Sequence, residues 1–411
     1  AGLSLPRQIA VIAFWPFLEQ LLSFFVTSSD LFIATKIGVD AQDTINISDG
    51  MGAVVFIMWF GFVIQGSIMM GATAIVSRMT GARDYPQAQH GLHQAAMLGL
   101  LAGTISCGLL FTCSDFLVTH VLTMNETARA YALQYVYMAA FAAPFSGVVF
   151  AINAALRGSG DTRLPFWIMM SVGILNVIFS VIFVFADAPL GGWRIGGIAA
   201  GTVCGYGISM CILLFIMLRR RKKIFTGRKN ESLEELVRER GEHYAPPLYL
   251  SFSQLRPDMG MQKRILKIGL PQAVEVFGMW GIQMFCLSII SELPVKGVLG
   301  VHNIAVRIES LSFLPGFAIG MAASTLVGQY LGARNALMAR ITIWKCMRYA
   351  VIFMTGLGVL FSAFPALFME IFSNGSTTLI DTGIPVLRTM LVVEPFFAAC
   401  IVMKMSLRGA G

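Results

Sequence analysis

The stretch LPFWIMMSVGILNVIFSVIFVFA, residues 164–186, decides the fold class. It carries no charged side chain, and coiled as an α-helix it extends about 35 Å, enough to cross a hydrocarbon layer about 30 Å thick. A spanning β-strand needs only about 9 to 11 residues of alternating character. This run is longer and has no period of two, so its backbone polar groups must be satisfied as a helix. Nine more apolar runs lie at roughly 8–33, 51–76, 92–114, 132–156, 196–218, 265–290, 301–327, 341–372 and 384–406. The composition of the 411 residues agrees: 56% hydrophobic, 13% charged, mean hydropathy +0.73, outside the range of soluble domains. A soluble enzyme with one anchor is excluded. The expected class is an all-α polytopic membrane protein.

Ten crossings leave both ends on one face. Alternating the loops assigns twenty of the thirty Lys and Arg to the face bearing the N-terminus, among them Arg7, Arg78, Arg83, Arg157, Arg163 and the run Arg219 to Lys223. The other face collects Lys36, Arg129, Arg194 and Lys296. By the positive-inside rule the N-terminus is cytoplasmic, in a plasma membrane, or the inner membrane of a prokaryote. The net charge of +8 is therefore chiefly a topology signal, with attraction to anionic lipid at about 1 kcal/mol per charge, and no nucleic acid partner is implied. No cleavable signal segment is expected, since the first apolar run begins within about eight residues of Ala1, and the absence of an initiator Met points to a trimmed start. Its seven cysteines, in or beside apolar runs and without a C-x-x-C pair, read as packing residues.

The polar segment 219–264 separates two related halves. G-A-R at Gly81 recurs at Gly332, P-F at Pro144 recurs at Pro395, and L-R-G-S-G from Leu156 recurs as L-R-G-A-G from Leu407, all offset by 251 residues. One common offset marks an internal duplication. The expected domains are an N-lobe of six helices, 1–218, a basic cytoplasmic linker, 219–264, with a short surface helix around Glu231 to Arg238, and a C-lobe, 265–411. Two spans follow the motif in the first half and none follows it in the second, so the complete architecture is expected to be six plus six helices, related by a pseudo-twofold along the membrane normal.

Acids inside spans are the functional candidates. Glu19 and Asp30 lie in the first span, Glu275 in the seventh and Glu394 in the tenth. A charge at the bilayer centre costs about 2.5 to 3.5 kcal/mol, so these acids must be protonated, paired or visited by cations. Neutral ligands stand on neighbouring spans: Asn153, Thr202, and Asn176 with Ser180 at i and i+4 on one face. A carboxylate among several neutral oxygens suits a hard cation such as Na+, and the same group can carry a proton. For each Asn or Ser an interhelical hydrogen bond worth about 0.6 kcal/mol is an equal alternative.

Pro16 and Pro271 stand three and four residues before an acid, and Pro144 and Pro395 interrupt spans, where a freed carbonyl permits bending. Lys404 and Arg388 are expected to snorkel, and Arg307 and Glu309 to pair with each other or with neighbours. His90 and His93 in H-G-L-H are read as loop residues without a metal. No Walker loop is present, so the energy source would be an ion gradient and no cofactor is expected.

The stretch R-I-E-S-L-S-F-L-P-G-F from Arg307, A-A-S-T-L-V-G-Q-Y-L-G-A from Ala322, A-L-R-G-S-G-D-T-R from Ala155, G-L-P-Q-A-V-E from Gly269 and L-E-Q from Leu18 resemble MATE (multidrug and toxic compound extrusion) transporters. The resemblance implies a secondary antiporter, not an enzyme, that exchanges drugs, often organic cations, for Na+ or H+ by rocking two six-helix lobes. It implies that Asp30, eight residues before Gly38, is the functional acid of the first helix, although Leu31 replaces the usual Thr. It assigns N-lobe ligand roles to Asn153 and Asn176, has Ser180 where a second acid is usual, and matches Glu275 and Glu394 to C-lobe acids. The substrate is expected to be an amphipathic small molecule held by Phe, Met and Trp, the protein a monomer. A lipid or lipid-linked precursor flippase is the alternative; it would need a basic intramembrane groove, and mid-depth Lys and Arg are scarce.

Overall fold

The computed structural model describes residues 4–121, 125–187, 189–225, 233, 235, 245–293, 298–373 and 377–411. Among the described residues the chain is a series of helices: α1 Leu5–Thr35, α2 Ala41–Gly81, α3 Tyr85–Phe116, α4 Glu126–Ala140, α5 Ala143–Ser159, α6 Arg163–Phe185, α7 Arg194–Ile224, α8 Met259–Ser291, α9 Val298–Gly332, α10 Ala336–Ala363, α11 Pro365–Ser373 and α12 Thr377–Ala410. Among the described residues eight segments are long and apolar enough to cross a membrane as single helices, and counting each of two bent pairs as one span brings the number to ten.

The bends fall where proline chemistry puts them. The ring of a proline clashes with the carbonyl four residues before it and leaves that carbonyl without its donor. Pro144 follows the last residue of α4, Ala140, by four, and α4 and α5 meet at 55°. Within α12 the segments Leu379–Thr389 and Val392–Ala410 meet at 56°, just where Pro395 reaches back. The span expected at 341–372 is shorter, because α10 ends at Ala363 and Pro365 opens the separate α11. The surface helix expected near Glu231 to Arg238 lies outside the described residues, apart from helical Leu233 and Glu235, and Lys296 lies outside them too.

Contacts divide the chain into two compact units, Leu18–Ala273, and Ala1–Phe17 with Val274–Gly411. The changes of membership fall one residue after Pro16 and two after Pro271, inside α1 and α8. Among the described residues of the larger unit, three large apolar centres accompany a small one of Ile224 and Tyr249. One joins Ile47, Ile57, Val136 and Ile198; another joins Leu92, Ile152, Leu156 and Leu213; the third packs Ile68, Ala72 and Ala151 around Ile265. In the smaller unit Ile308, Phe361, Met369 and Leu387 form the core.

The duplication is visible atom by atom. Arg83 and Arg334 both adopt left-handed backbone, φ 60° and 57°, and each is followed by an N-cap, Asp84 accepting from the Gln87 N–H and Asn335 from the Met338 N–H. Gly160 and Gly411 both have left-handed φ, 95° and 96°. A methyl on Gly158 would stand 2.8 Å from the Thr73 carbonyl oxygen, and one on Gly409 would overlap that of Ser324. Residues 73 and 324 are themselves 251 apart.

The ends of the larger unit are chemically distinct. At one end Asp43 accepts from the Tyr131 hydroxyl at 2.6 Å and pairs with Arg194 at 2.7 Å. At the other, Asp161 pairs with Arg220 at 2.8 Å beside the segment that begins at Ala245.

Candidate functional site

In the larger unit three of the four neutral candidates, Asn176, Ser180 and Thr202, gather at the α6 and α7 contact. Gly197, Gly201 and Gly205 recur every four residues on α7; a methyl on Gly201 would overlap the Ser180 hydroxyl, and one on Gly205 would stand 2.9 Å from the Val172 carbonyl. Small residues at this spacing let two helix backbones approach closely. The Asn176 amide consequently donates to the Thr202 hydroxyl at 2.8 Å, and Ser180 donates to the Ile198 carbonyl at 3.2 Å. Asn176 is buried, and its carbonyl oxygen has no hydrogen-bond partner.

Two tyrosines that composition did not single out close this region. The Tyr135 side chain on α4 hydrogen-bonds Thr202 and lies in electrostatic reach of Asp30 on α1. Tyr206, one turn beyond Thr202, is in reach of both Asp30 and Glu19. Asp30 Oδ1 is buried without a hydrogen-bond partner. Asn153 on α5 is fully buried, and both its amide oxygen and nitrogen lack partners.

Glu19 takes the paired alternative among the three expected of an intramembrane acid. Its Oε1 receives a hydrogen bond and ion pair from Arg157 at 2.5 Å, with side chains 10% and 6% exposed. The positive partner of this carboxylate is resident in the fold.

In the smaller unit Glu275 and Glu394 take separate partners. Lys404 contacts Glu275 Oε1, and Arg408 donates to Oε2 at 2.9 Å. Lys404, expected to snorkel, is paired with this carboxylate. Glu394 lies ten residues before Lys404 on α12, about 15 Å along the axis. It is buried, hydrogen-bonded to the Ser312 hydroxyl at 2.5 Å, with Oε2 unpartnered. Glu309 contributes its carbonyl, which also receives the Ser312 hydroxyl at 2.8 Å; no ion pair joins Arg307 and Glu309 among the described residues.

His90 and His93 are not loop residues. They lie on α3, which grips the segment 249–258: Gln89 exchanges hydrogen bonds with the Tyr249 backbone, His93 Nε2 accepts from the Ser251 N–H at 2.9 Å, and Gln94 meets the Arg256 carbonyl and Asp258 N–H at 2.7 and 3.0 Å. His90 bonds Asp258 at 2.9 Å, which holds that carboxyl below the usual range. Asp258 also caps α8 through the N–H groups of Gly260 and Met261.

Ten apolar crossings, repeated local geometry in the two halves and carboxylates lodged between helices define an integral membrane protein of the duplicated helical transporter class. The sequence profile of the MatE family matches residues 49–182 and 271–411. The chain belongs to this family, the MATE transporters. It is 25% identical over 363 residues to a probable multidrug resistance protein NorM of Thermotoga maritima, covering 88% of this chain and 72% of that one. NorM of Vibrio vulnificus is 24% identical over 309 residues, 74% of this chain; the match spans only 60% of that relative. A transporter of the MOP superfamily from Pyrococcus furiosus superposes with TM-score 0.81 at 16% identity, over 98% of this chain and 83% of that one. An outward-facing multidrug resistance MATE transporter gives TM-score 0.81 at 17% identity, over 98% and 82%.

Proposed function

We propose that this protein is a cation-coupled antiporter that exports amphipathic, often cationic, small molecules by alternating access, with Asp30 as its principal coupling acid. The observation that carries the reading is the contrast among the intramembrane acids. Glu19 and Glu275 are paired with cationic side chains, Arg157, and Arg408 with Lys404, whereas Asp30 has a buried oxygen without a hydrogen-bond partner and no ion pair among the described residues. A carboxylate so placed is stabilised by whatever cation reaches it. Asn176, Thr202 and Tyr135 supply neutral oxygens nearby, and Asn153 offers a further buried amide.

Glu394 is read as a second, protonatable acid. The Ser312 hydroxyl has one proton and two acceptors in range, the Glu309 carbonyl and Glu394 Oε1. Donation to the carbonyl leaves the Ser312 oxygen to accept a proton from a neutral Glu394. The names of the NorM relatives support drugs as cargo, and the abundance of Met and Phe, 24 and 31 residues, supports an adaptable binding surface.

The test is substrate efflux in sealed vesicles with a Na+ or a pH gradient imposed separately. Asp30→Asn is expected to lower gradient-driven efflux at least about tenfold, the scale of one lost coupling interaction of 1 to 3 kcal/mol. Undiminished efflux in Asp30→Asn overturns the assignment.

A further inference from the structure

The two halves repeat one ion pair and differ at one position beside it. In the larger unit an acid three residues after a proline, Glu19 after Pro16, pairs with the Arg of L-R-G-S-G, Arg157. In the smaller unit an acid four residues after a proline, Glu275 after Pro271, pairs with the Arg of L-R-G-A-G, Arg408. One helical turn before each arginine the halves diverge. Asn153 occupies that place in the first half, and the residue 251 positions later is Lys404. The consequence at the carboxylates is direct: Glu19 Oε2 has no hydrogen-bond partner, while Glu275 has Lys404 on Oε1 and Arg408 on Oε2. The Lys404 ammonium is also held by the Met279 sulfur at 3.4 Å.

We propose that Lys404 is a cation-specificity residue: its tethered ammonium fills the monovalent-cation position at Glu275 and excludes free Na+ from that carboxylate. Both oxygens of Glu275 are engaged, and one negative charge faces two positive ones. A third cation would enter against net repulsion, at a carboxylate whose two oxygens each already hold a cationic group. The ammonium matches Na+ in charge, and three rotatable donors on a flexible stem let it substitute for a small ion. The proposal extends the cation-coupled reading above for its consequence in transport, but the occupancy of Glu275 is measurable without transport.

The experiment is Na+-dependent thermal stabilisation of the purified full chain, replacing choline chloride by NaCl at constant ionic strength, in an Asp30→Asn, Glu394→Gln background that removes the two acids read above as coupling groups. With Lys404 present, Na+ is expected to leave Tm unchanged. Lys404→Asn, which installs the residue of the first half, is expected to gain a saturable rise of about 2 °C or more. Adding Glu275→Gln to Lys404→Asn is expected to abolish the gain. Lys404→Gln carries the same test should the asparagine variant fail to fold. No Na+ response in either Lys404 variant, or a response with Lys404 intact that Glu275→Gln removes, overturns the proposal. In vesicles the Lys404 variants should acquire added Na+ dependence. If efflux proves gradient-independent while the thermal response holds, the coupling reading fails and this one stands.

Discussion

At the scale of the residue, Arg157 shows how a charge inside a bundle is tolerated. Its pair with Glu19 is buried on both sides, and burial of two ions gains little over two apolar side chains; removing only one partner leaves an uncompensated charge at a cost of about 3 to 5 kcal/mol. Arg157→Met is therefore expected to lower stability by that amount, and the double change Glu19→Leu with Arg157→Met to recover most of it, read as thermal unfolding in detergent. At Glu394 the expectation differs. Glu394→Gln retains a donor and an acceptor at Ser312, so it should unfold within about 1 kcal/mol of the native protein. It should nevertheless impair proton-driven efflux if the acid carries the proton. Normal efflux in a stable Glu394→Gln would remove it from the coupling scheme. The acids themselves were legible in the sequence, because a charge in an apolar run stands out. Their partners were not, because Glu19 and Arg157 are 138 residues apart and Glu275 and Lys404 are far from each other too.

At the scale of the element, prolines and polar clamps differ in how they announce themselves. The bends between α4 and α5 and within α12 were readable because a proline disrupts a fixed position four residues back. The grip of α3 on 249–258 was not, since recognition of backbone by Gln89, His93 and Gln94 leaves no periodic trace in the gripped segment. His93 accepts from Ser251 while bonded through Nδ1 to the Gln89 carbonyl at 2.7 Å, which requires the neutral ring with its proton on Nδ1. His93→Leu orphans the buried Ser251 N–H, a loss of about 1 to 3 kcal/mol. Amide exchange across 249–258 should accelerate in that variant and not in one altered at exposed Phe252. At the opposite end, Asp43 is held below the ordinary carboxylate range by the Tyr131 hydroxyl first, then the Val39 N–H and Arg194. A lowered folded-state value means this contribution is complete above the unfolded Asp value of about 3.9 and is lost as pH falls through the folded value. The melting temperature of the native protein should therefore drop more steeply below about pH 4 than that of Asp43→Asn; parallel curves would show that the contact contributes nothing.

At the scale of the whole molecule, the count of ten crossings and the duplication came through because both rest on long-range regularities, hydropathy and an offset of 251. The contacts that give the offset meaning, Gly158 at Thr73 and Gly409 at Ser324, needed coordinates. Orientation across the membrane remains a consequence of charge. In the larger unit, Phe252 belongs to the end with Asp161 and Arg220, and Leu190, 63% exposed, to the loop before Arg194 at the end with Asp43. The positive-inside rule assigns the first end to the cytoplasm, since the run Arg219 to Lys223 lies there. In a cysteine-free background, Leu190→Cys should react with a membrane-impermeant maleimide in intact cells, and Phe252→Cys only after permeabilisation. The reverse pattern would invert the topology and place Asp43 inside. Labelling of both from outside would break the assignment of the two loops to opposite faces, and with it the single crossing of α7, Arg194–Ile224, between them.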